Sequence, residues 1–178
     1  AACDVCLSGM FEEEKGKSKC KQCLAGQFET KQGQTACQLC PAGHKQPTPG
    51  GKLACPGCLP GNFQTEKGKT ECISCTKGKY KDQPAANTTC IDCIAGHIAE
   101  RTGMSECSNC DKGTFQGESG KSKCIDCLAG TMADVPALPK CKDCEVGRYQ
   151  GVSGKSECIE CDKGTFQGES GKSKCIDC

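Results

Sequence analysis

The stretch "CDKGTFQGESGKSKCIDC" occupies residues 110–127 and recurs, letter for letter, at residues 161–178. It holds one aromatic ring and one isoleucine; its other residues are cysteine, glycine and small, polar or charged side chains. The whole chain has the same character. Leu, Ile, Val and Phe together number 23 of 178 residues, about 13%, below the roughly 20% at which chains tend to stay disordered. Burial of so little apolar surface cannot offset the backbone entropy of folding. Against this stand 22 cysteines, a density typical of disulfide scaffolds. Cross-links are therefore expected to replace the core.

The quoted string is one unit of a longer repeat. Eleven CxxC pairs begin at Cys3, Cys20, Cys37, Cys55, Cys72, Cys90, Cys107, Cys124, Cys141, Cys158 and Cys175, spaced by 17 residues except for two steps of 18. A glycine follows the second cysteine by three positions in every loop, from Gly9 to Gly164. Two positions later stand Phe11, Phe28, Phe63, Tyr80, Phe115, Tyr149 and Phe166, replaced by Lys45, Ile98 and Met132 in the other loops. A second glycine lies four residues before the next cysteine, with Ala86 and Ala137 as exceptions, and Ser or Thr lies two before it, with Leu53 and Pro139 as exceptions.

This pattern reads as a small β-finger. If Cys6 faces Cys20, the tip falls near Glu12–Lys15, and the aromatic ring is expected over the bare backbone of the late glycine. Both one-residue insertions are expected at tips that contain proline, namely Pro47 and Pro49 in one loop and Pro84 in another, where turns tolerate extra length. The Ser/Thr hydroxyls are expected to bond backbone near the loop base. No 3.6-residue apolar stripe supports a helix.

CxxC-x13-CxxC also has zinc-site spacing, but eleven pairs leave one over, and nothing separates gaps within a site from gaps between sites. A redox CxxC lacks a thioredoxin-like context. Two regular disulfide schemes exist. Neighbouring pairs can bond crosswise, as Cys3–Cys20 with Cys6–Cys23, which imposes a two-unit period that the sequence lacks. The preferred scheme joins the second cysteine of each pair to the first of the next: Cys6–Cys20, Cys23–Cys37, Cys40–Cys55, Cys58–Cys72, Cys75–Cys90, Cys93–Cys107, Cys110–Cys124, Cys127–Cys141, Cys144–Cys158 and Cys161–Cys175. Each bridge closes a loop of about 15 residues, worth roughly 3 kcal/mol in the chain-entropy treatment. Cys3 and Cys178 are left without partners, as in a fragment of a longer chain.

CxxC, then Gly-x-Phe/Tyr, then Gly-x-Ser/Thr-x-CxxC resembles the ephrin-receptor-like cysteine-rich repeat and is similar to the single-disulfide module of tumour-necrosis-factor-receptor domains. "CLPGNFQTEKGKTECISC" (58–75) and "CEVGRYQGVSGKSECIEC" (144–161) carry it best; the third and eighth loops depart from it. The resemblance implies an extracellular, disulfide-linked rod of the kind seen in receptor stalks and surface fibres.

The fold expected is thus small, disulfide-rich and all-β/irregular. It is a tandem array of about ten 17-residue single-disulfide β-fingers forming an elongated rod, one continuous array over 1–178. Its loops, numbered 1 to 10 below, are 6–20, 23–37, 40–55, 58–72, 75–90, 93–107, 110–124, 127–141, 144–158 and 161–175. With 23 basic and 22 acidic residues, the chain has no basic field for nucleic acid, and no apolar run long enough to span a membrane. Asn87-Thr88-Thr89 is the one N-glycosylation sequon, and Thr48, between two prolines, is the best O-glycan candidate. His44 and His97 are read as exposed loop residues, and Glu12-Glu13-Glu14 as a solvated turn. No acid–base pair or phosphate loop suggests catalysis, and no cofactor is expected. The function expected is that of a non-enzymatic extracellular spacer or filament-forming segment, packing laterally with copies of itself and bearing glycans. The alternative is a receptor ectodomain that binds a protein ligand through its irregular loops (40–55, 75–90 and 127–141).

Overall fold

The computed structural model describes residues 5–14, 19–85 and 88–178. Cys3 and Asn87, and the late-position Ala86, lie outside the described residues. The described residues contain no helix; regular structure is confined to two-residue strands in antiparallel pairs. Ten disulfides close the loops 6–20, 23–37, 40–55, 58–72, 75–90, 93–107, 110–124, 127–141, 144–158 and 161–175. Two compact units are present. One comprises Ala1–Cys75, Lys81–Cys90 and Gly103–Ser105; the other comprises Thr76–Tyr80, Ile91–Thr102 and Glu106–Cys178.

The finger differs from the simple hairpin expected. Its return strand is formed by the two residues inside the following CxxC: Phe63 pairs with Ile73, Phe115 with Ile125, and Tyr149 with Ile159. The midpoint between Phe115 and Ile125 is Gly120, and the bend over Glu118–Gly120 begins inside residues 116–119 (QGES), the equivalent of the tip expected at Glu12–Lys15. Gln116, the first residue of that stretch, is buried. Cross-strand aromatic–isoleucine pairs supply part of the apolar packing.

The core itself is a series of sulfur atoms. Cys23, Cys40, Cys58, Cys75, Cys93, Cys110, Cys127 and Cys144 are fully buried, and few aliphatic side chains join them. Local chemistry sets each turn. Asp111 C=O accepts from Thr114 N–H at 3.0 Å, and Gly113 occupies the intervening position at φ +83°, a left-handed conformation that costs an L-residue with a Cβ about 1–2 kcal/mol.

Main-chain hydrogen bonds join successive loops in each unit. In the first, Gly9, Gly26, Gly43 and Gly61 N–H donate to the carbonyls of Glu29, Gln46, Gln64 and Lys81. In the second, Gly78, Gly96, Gly113, Gly130 and Gly147 donate to Ala99, Gln116, Ala133, Gln150 and Gln167. Contact also reaches one loop further. A Cβ on Gly26 or Gly61 would lie 2.1 or 2.0 Å from the carbonyl oxygen of Gly68 or Gly103, and one on Gly113 or Gly130 would lie 2.2 or 2.1 Å from that of Gly154 or Gly171. Loops 2 and 4 in the first unit, and loops 7 and 8 in the second, therefore reach their second neighbour as well as their neighbour.

Three expectations are corrected. The ring does not cover the late glycine: the atoms nearest a Cβ on Gly120 or Gly154 belong to Asp92 or Asp126, from the CxxC two junctions back. The inserted residues follow the left-handed position instead of preceding it. Gly50 (φ +75°) and Ala85 (φ +53°) both stand ten residues after their cysteine, Cys40 and Cys75, as Gly120 does after Cys110, so Ala85 takes the position assigned to Ala86. The outgoing leg keeps its length because it carries the bonds to neighbouring loops. The recurrent Ser/Thr hydroxyls do not clamp the base; only Thr88 among the described ones has a bonded side chain, accepting from Lys81 Nζ at 2.7 Å.

Of the two loops expected to depart from the pattern, only one loses its ladder. Loop 8 keeps it, with Met132 paired to Lys142. Loop 3 has a single bridge, His44 to Gly57, and a bond from Lys45 N–H to Pro56 C=O. Pro56 has no N–H to return, so the second rung cannot form.

Candidate functional site

The side chain after most of the aromatics holds the finger together, a role not anticipated from the repeat. Gln116 Nε2 donates to Lys123 C=O at 2.8 Å and its Oε1 accepts from Glu118 N–H at 3.0 Å; Gln64, Gln150 and Gln167 repeat both bonds. All four are buried. Each bridges the outgoing leg to the residue before the closing cysteine, so one amide satisfies two main-chain groups in a fold with few other buried side chains. The recurrence of Gln at one position was the available signal. Glu29 and Lys81 are the charged variants: Glu29 Oε1 accepts from Lys31 N–H, while Lys81 reaches Thr88.

The residues singled out from the sequence do not converge. His44 Nδ1 lies 3.1 Å from Ala42 C=O, and His97 Nδ1 lies 3.2 Å from Ala95 C=O, each ring nitrogen donating within its own turn. Glu12 Oε1 accepts from Glu14 N–H. Among the described residues no group of three or more His, Cys, Asp or Glu is arranged to hold a metal ion. Thr48 is exposed in loop 3, and Cys178 is an exposed free thiol.

Apart from the buried Glu29 and Lys81, charged side chains lie at or near the surface, and six ion pairs form among the described residues. Lys121–Glu118 and Lys172–Glu169 span three residues at 2.9 Å; such exposed pairs contribute about 0–1 kcal/mol. Lys142 Nζ contacts both carboxylate oxygens of Asp134, at 2.8 and 2.9 Å, and this bond holds the Asp134 carboxyl below its ordinary value of 3.8.

Loop 3 has an open cleft of about 430 Å³ lined by Gln46, Thr48, Lys52, Leu53 and Pro56, among others. Leu53 is 78% exposed, the highest value among the large apolar side chains described.

These features define a class: a disulfide-rich β-finger array with main chain and sulfur as its principal bonding groups. Residues 96–137 and 147–178 match the family described as tyrosine-protein kinase ephrin type A/B receptor-like. The two segments are thus similar to ephrin-receptor-like cysteine-rich repeats, and the same cysteine spacing continues through the remaining loops. No curated protein matches the chain. The family is a non-catalytic module of receptor ectodomains, and with ten disulfides it points to an extracellular setting. No helix among the described residues is long and apolar enough to cross a membrane.

Proposed function

We propose that the array is an extracellular spacer or filament segment, in which length is set by the number of loops and copies pack side by side. One observation carries this reading: the same main-chain bonds join each loop to the next, so units are interchangeable and no single loop holds a constellation of reactive groups. Thr48 and Asn87 are the attachment points proposed for glycans that coat the exposed loops.

The identical 18-residue strings permit a clean test. Excising residues 110–160 removes three loops and joins Asn109 to Cys161 with no new junction sequence. A spacer loses maximum dimension, measured by small-angle scattering, in proportion to the three loops removed from ten. An unchanged or collapsed envelope refutes the reading. Lateral packing predicts an average mass that rises with concentration in sedimentation; a monomer at every concentration removes the filament part of the proposal and leaves the spacer.

A further inference from the structure

The hydroxyl two residues before the closing cysteine recurs in eight loops, yet it does not bond the loop base. Thr35, Thr70, Ser105, Ser122, Ser156 and Ser173 stand at this position, and none of their hydroxyls forms a hydrogen bond among the described residues. Exposure to water selects a polar side chain but not a hydroxyl. The residue one place further on shows the difference: it is Ala36, Glu71, Glu106, Lys123, Glu157 or Lys174 and follows no rule. A hydroxyl thus recurs where the fold does not use one. At Ser122 it also lines a second cleft. That cleft, of about 430 Å³, lies wholly within the second unit and has Lys77, Ile98, Glu100, Asn109 and Asp111 among its other walls. Its volume falls in the range of small-ligand sites, roughly 300–1,000 Å³. Ile98 gives it an apolar wall, at the position where seven loops carry an aromatic ring. The side chains of Lys77, Glu100, Asn109 and Asp111 have no hydrogen-bond or ion-pair partner among the described residues.

We propose that this recurrent position is an acceptor for O-linked glycans, and that the sugar on Ser122 lies in the cleft. A neutral sugar ring suits the walls. Its hydroxyls donate to the Glu100 and Asp111 carboxylates and accept from the Lys77 ammonium and the Asn109 amide, while its C–H face meets Ile98. A phosphate would face Glu100 and Asp111 at Ser122, and would sit beside Glu71, Glu106 and Glu157 at Thr70, Ser105 and Ser156. An acyl chain would meet charged groups around the cleft. The step is a glycosyl transfer from a nucleoside-diphosphate sugar. The bond from the anomeric carbon to the donor phosphate oxygen breaks, a bond from that carbon to Ser122 Oγ forms, and the nucleoside diphosphate leaves. The hydroxyl proton passes to a base of the transferase. These sites are distinct from Thr48 and Asn87 and do not depend on the spacer reading; a receptor stalk carries them equally.

The test uses the protein purified from the cells that make it, with its disulfides mapped before reduction. Cleavage after glutamate separates the two identical strings, because Ser122 then lies on the fragment 119–145 and Ser173 on 170–178. Electron-transfer fragmentation is expected to place a hexose or N-acetylhexosamine on Ser122 and on Ser173, and to find Ser119, Thr131 and Ser170 bare. Ser122→Ala, made in the same cells, is expected to lose the glycan at that site and to keep the Cys110–Cys124 bridge; Ser122→Thr keeps both. Hydrogen exchange reads the seating of the sugar. Over residues 109–114 it is expected to rise roughly twofold or more in Ser122→Ala and to stay unchanged in Ser156→Ala, whose hydroxyl does not line this cleft. The proposal is overturned if Ser122 or Ser173 carries a bare hydroxyl or a phosphate, or if the sugar lies on Ser119 or Thr131 instead. Loss of the Cys110–Cys124 bridge in Ser122→Ala would show that the hydroxyl serves the fold, and overturns it as well. Equal exchange over 109–114 in the two alanine variants overturns the placement in the cleft. Thr48 and Asn87 lie on other fragments, so their occupancy is scored independently.

Discussion

Substituting alanine at two glycines of the same conformation separates backbone strain from contact between second-neighbour loops. Gly113 (φ +83°) and Gly147 (φ +80°) occupy equivalent turns. A Cβ on Gly147 meets nothing within 4 Å, whereas one on Gly113 would sit 2.2 Å from the carbonyl oxygen of Gly154. Gly147→Ala is therefore charged only the left-handed strain, about 1–2 kcal/mol. Gly113→Ala adds displacement of a main-chain carbonyl two loops away, which overpacking data put at roughly 1–3 kcal/mol, for a total of about 2–5 kcal/mol.

An array of this kind need not unfold in one step, so a single unfolding free energy is the wrong readout. Native-state hydrogen exchange is local. Gly154 N–H donates to Cys127 C=O and Ala133 N–H to Lys155 C=O; both amides are expected to lose protection in Gly113→Ala by roughly tenfold or more. In Gly147→Ala they are expected to stay near wild type, with the loss confined to loops 9 and 10. Equal losses in the two variants, or an unperturbed Gly154 amide in Gly113→Ala, would falsify the second-neighbour packing and leave a simple chain of nearest-neighbour fingers.

Three further outcomes are expected. Gln116→Met leaves Lys123 C=O and Glu118 N–H without their partner and destabilises loop 7 by about 1–3 kcal/mol, measurable as faster exchange of the Glu118 amide; an unchanged rate would show that the amide clamp is ornamental. Ala137→Gly relieves a left-handed alanine at φ +61°. Because part of the relief is returned as unfolded-chain entropy, loop 8 is stabilised by roughly 0.5–1 kcal/mol, seen as slower exchange at Ala137 N–H, which bonds Cys110 C=O. Asp134 has its carboxyl held below the ordinary 3.8 by the hydrogen bond from Lys142. Its contribution is thus present above 3.8, the unfolded value, and is lost as pH falls through the lower folded-state value. NMR titration of the Asp134 carboxyl in Lys142→Met is expected to return its midpoint toward 3.8; no movement would show that Lys142 is not the cause.

The sequence was legible wherever chemistry repeats at a fixed offset. Cysteines every 17 residues, in a chain too poor in apolar residues to fold by burial, determine a disulfide-built β array; the glycine three after each second cysteine marks a turn that needs a left-handed residue. Positions counted backward from the next cysteine were misread in loops 3 and 5, because the insertion lies on that leg and shifts Gly50 and Ala85 out of the count. The glutamine after the aromatic was passed over because a polar residue on a small finger has no reason to be buried until its two main-chain partners are brought to it. Register belongs to the same class: that the residues inside CxxC form the return strand depends on how Phe115 and Ile125 meet, and the cysteine spacing is indifferent to it. Local sequence thus determined the period, the turns and the kind of bond that replaces a core. Tertiary structure alone decided which main-chain groups those turns meet, because a peptide carbonyl looks the same in every residue and only folding selects the one that lies against Gly113.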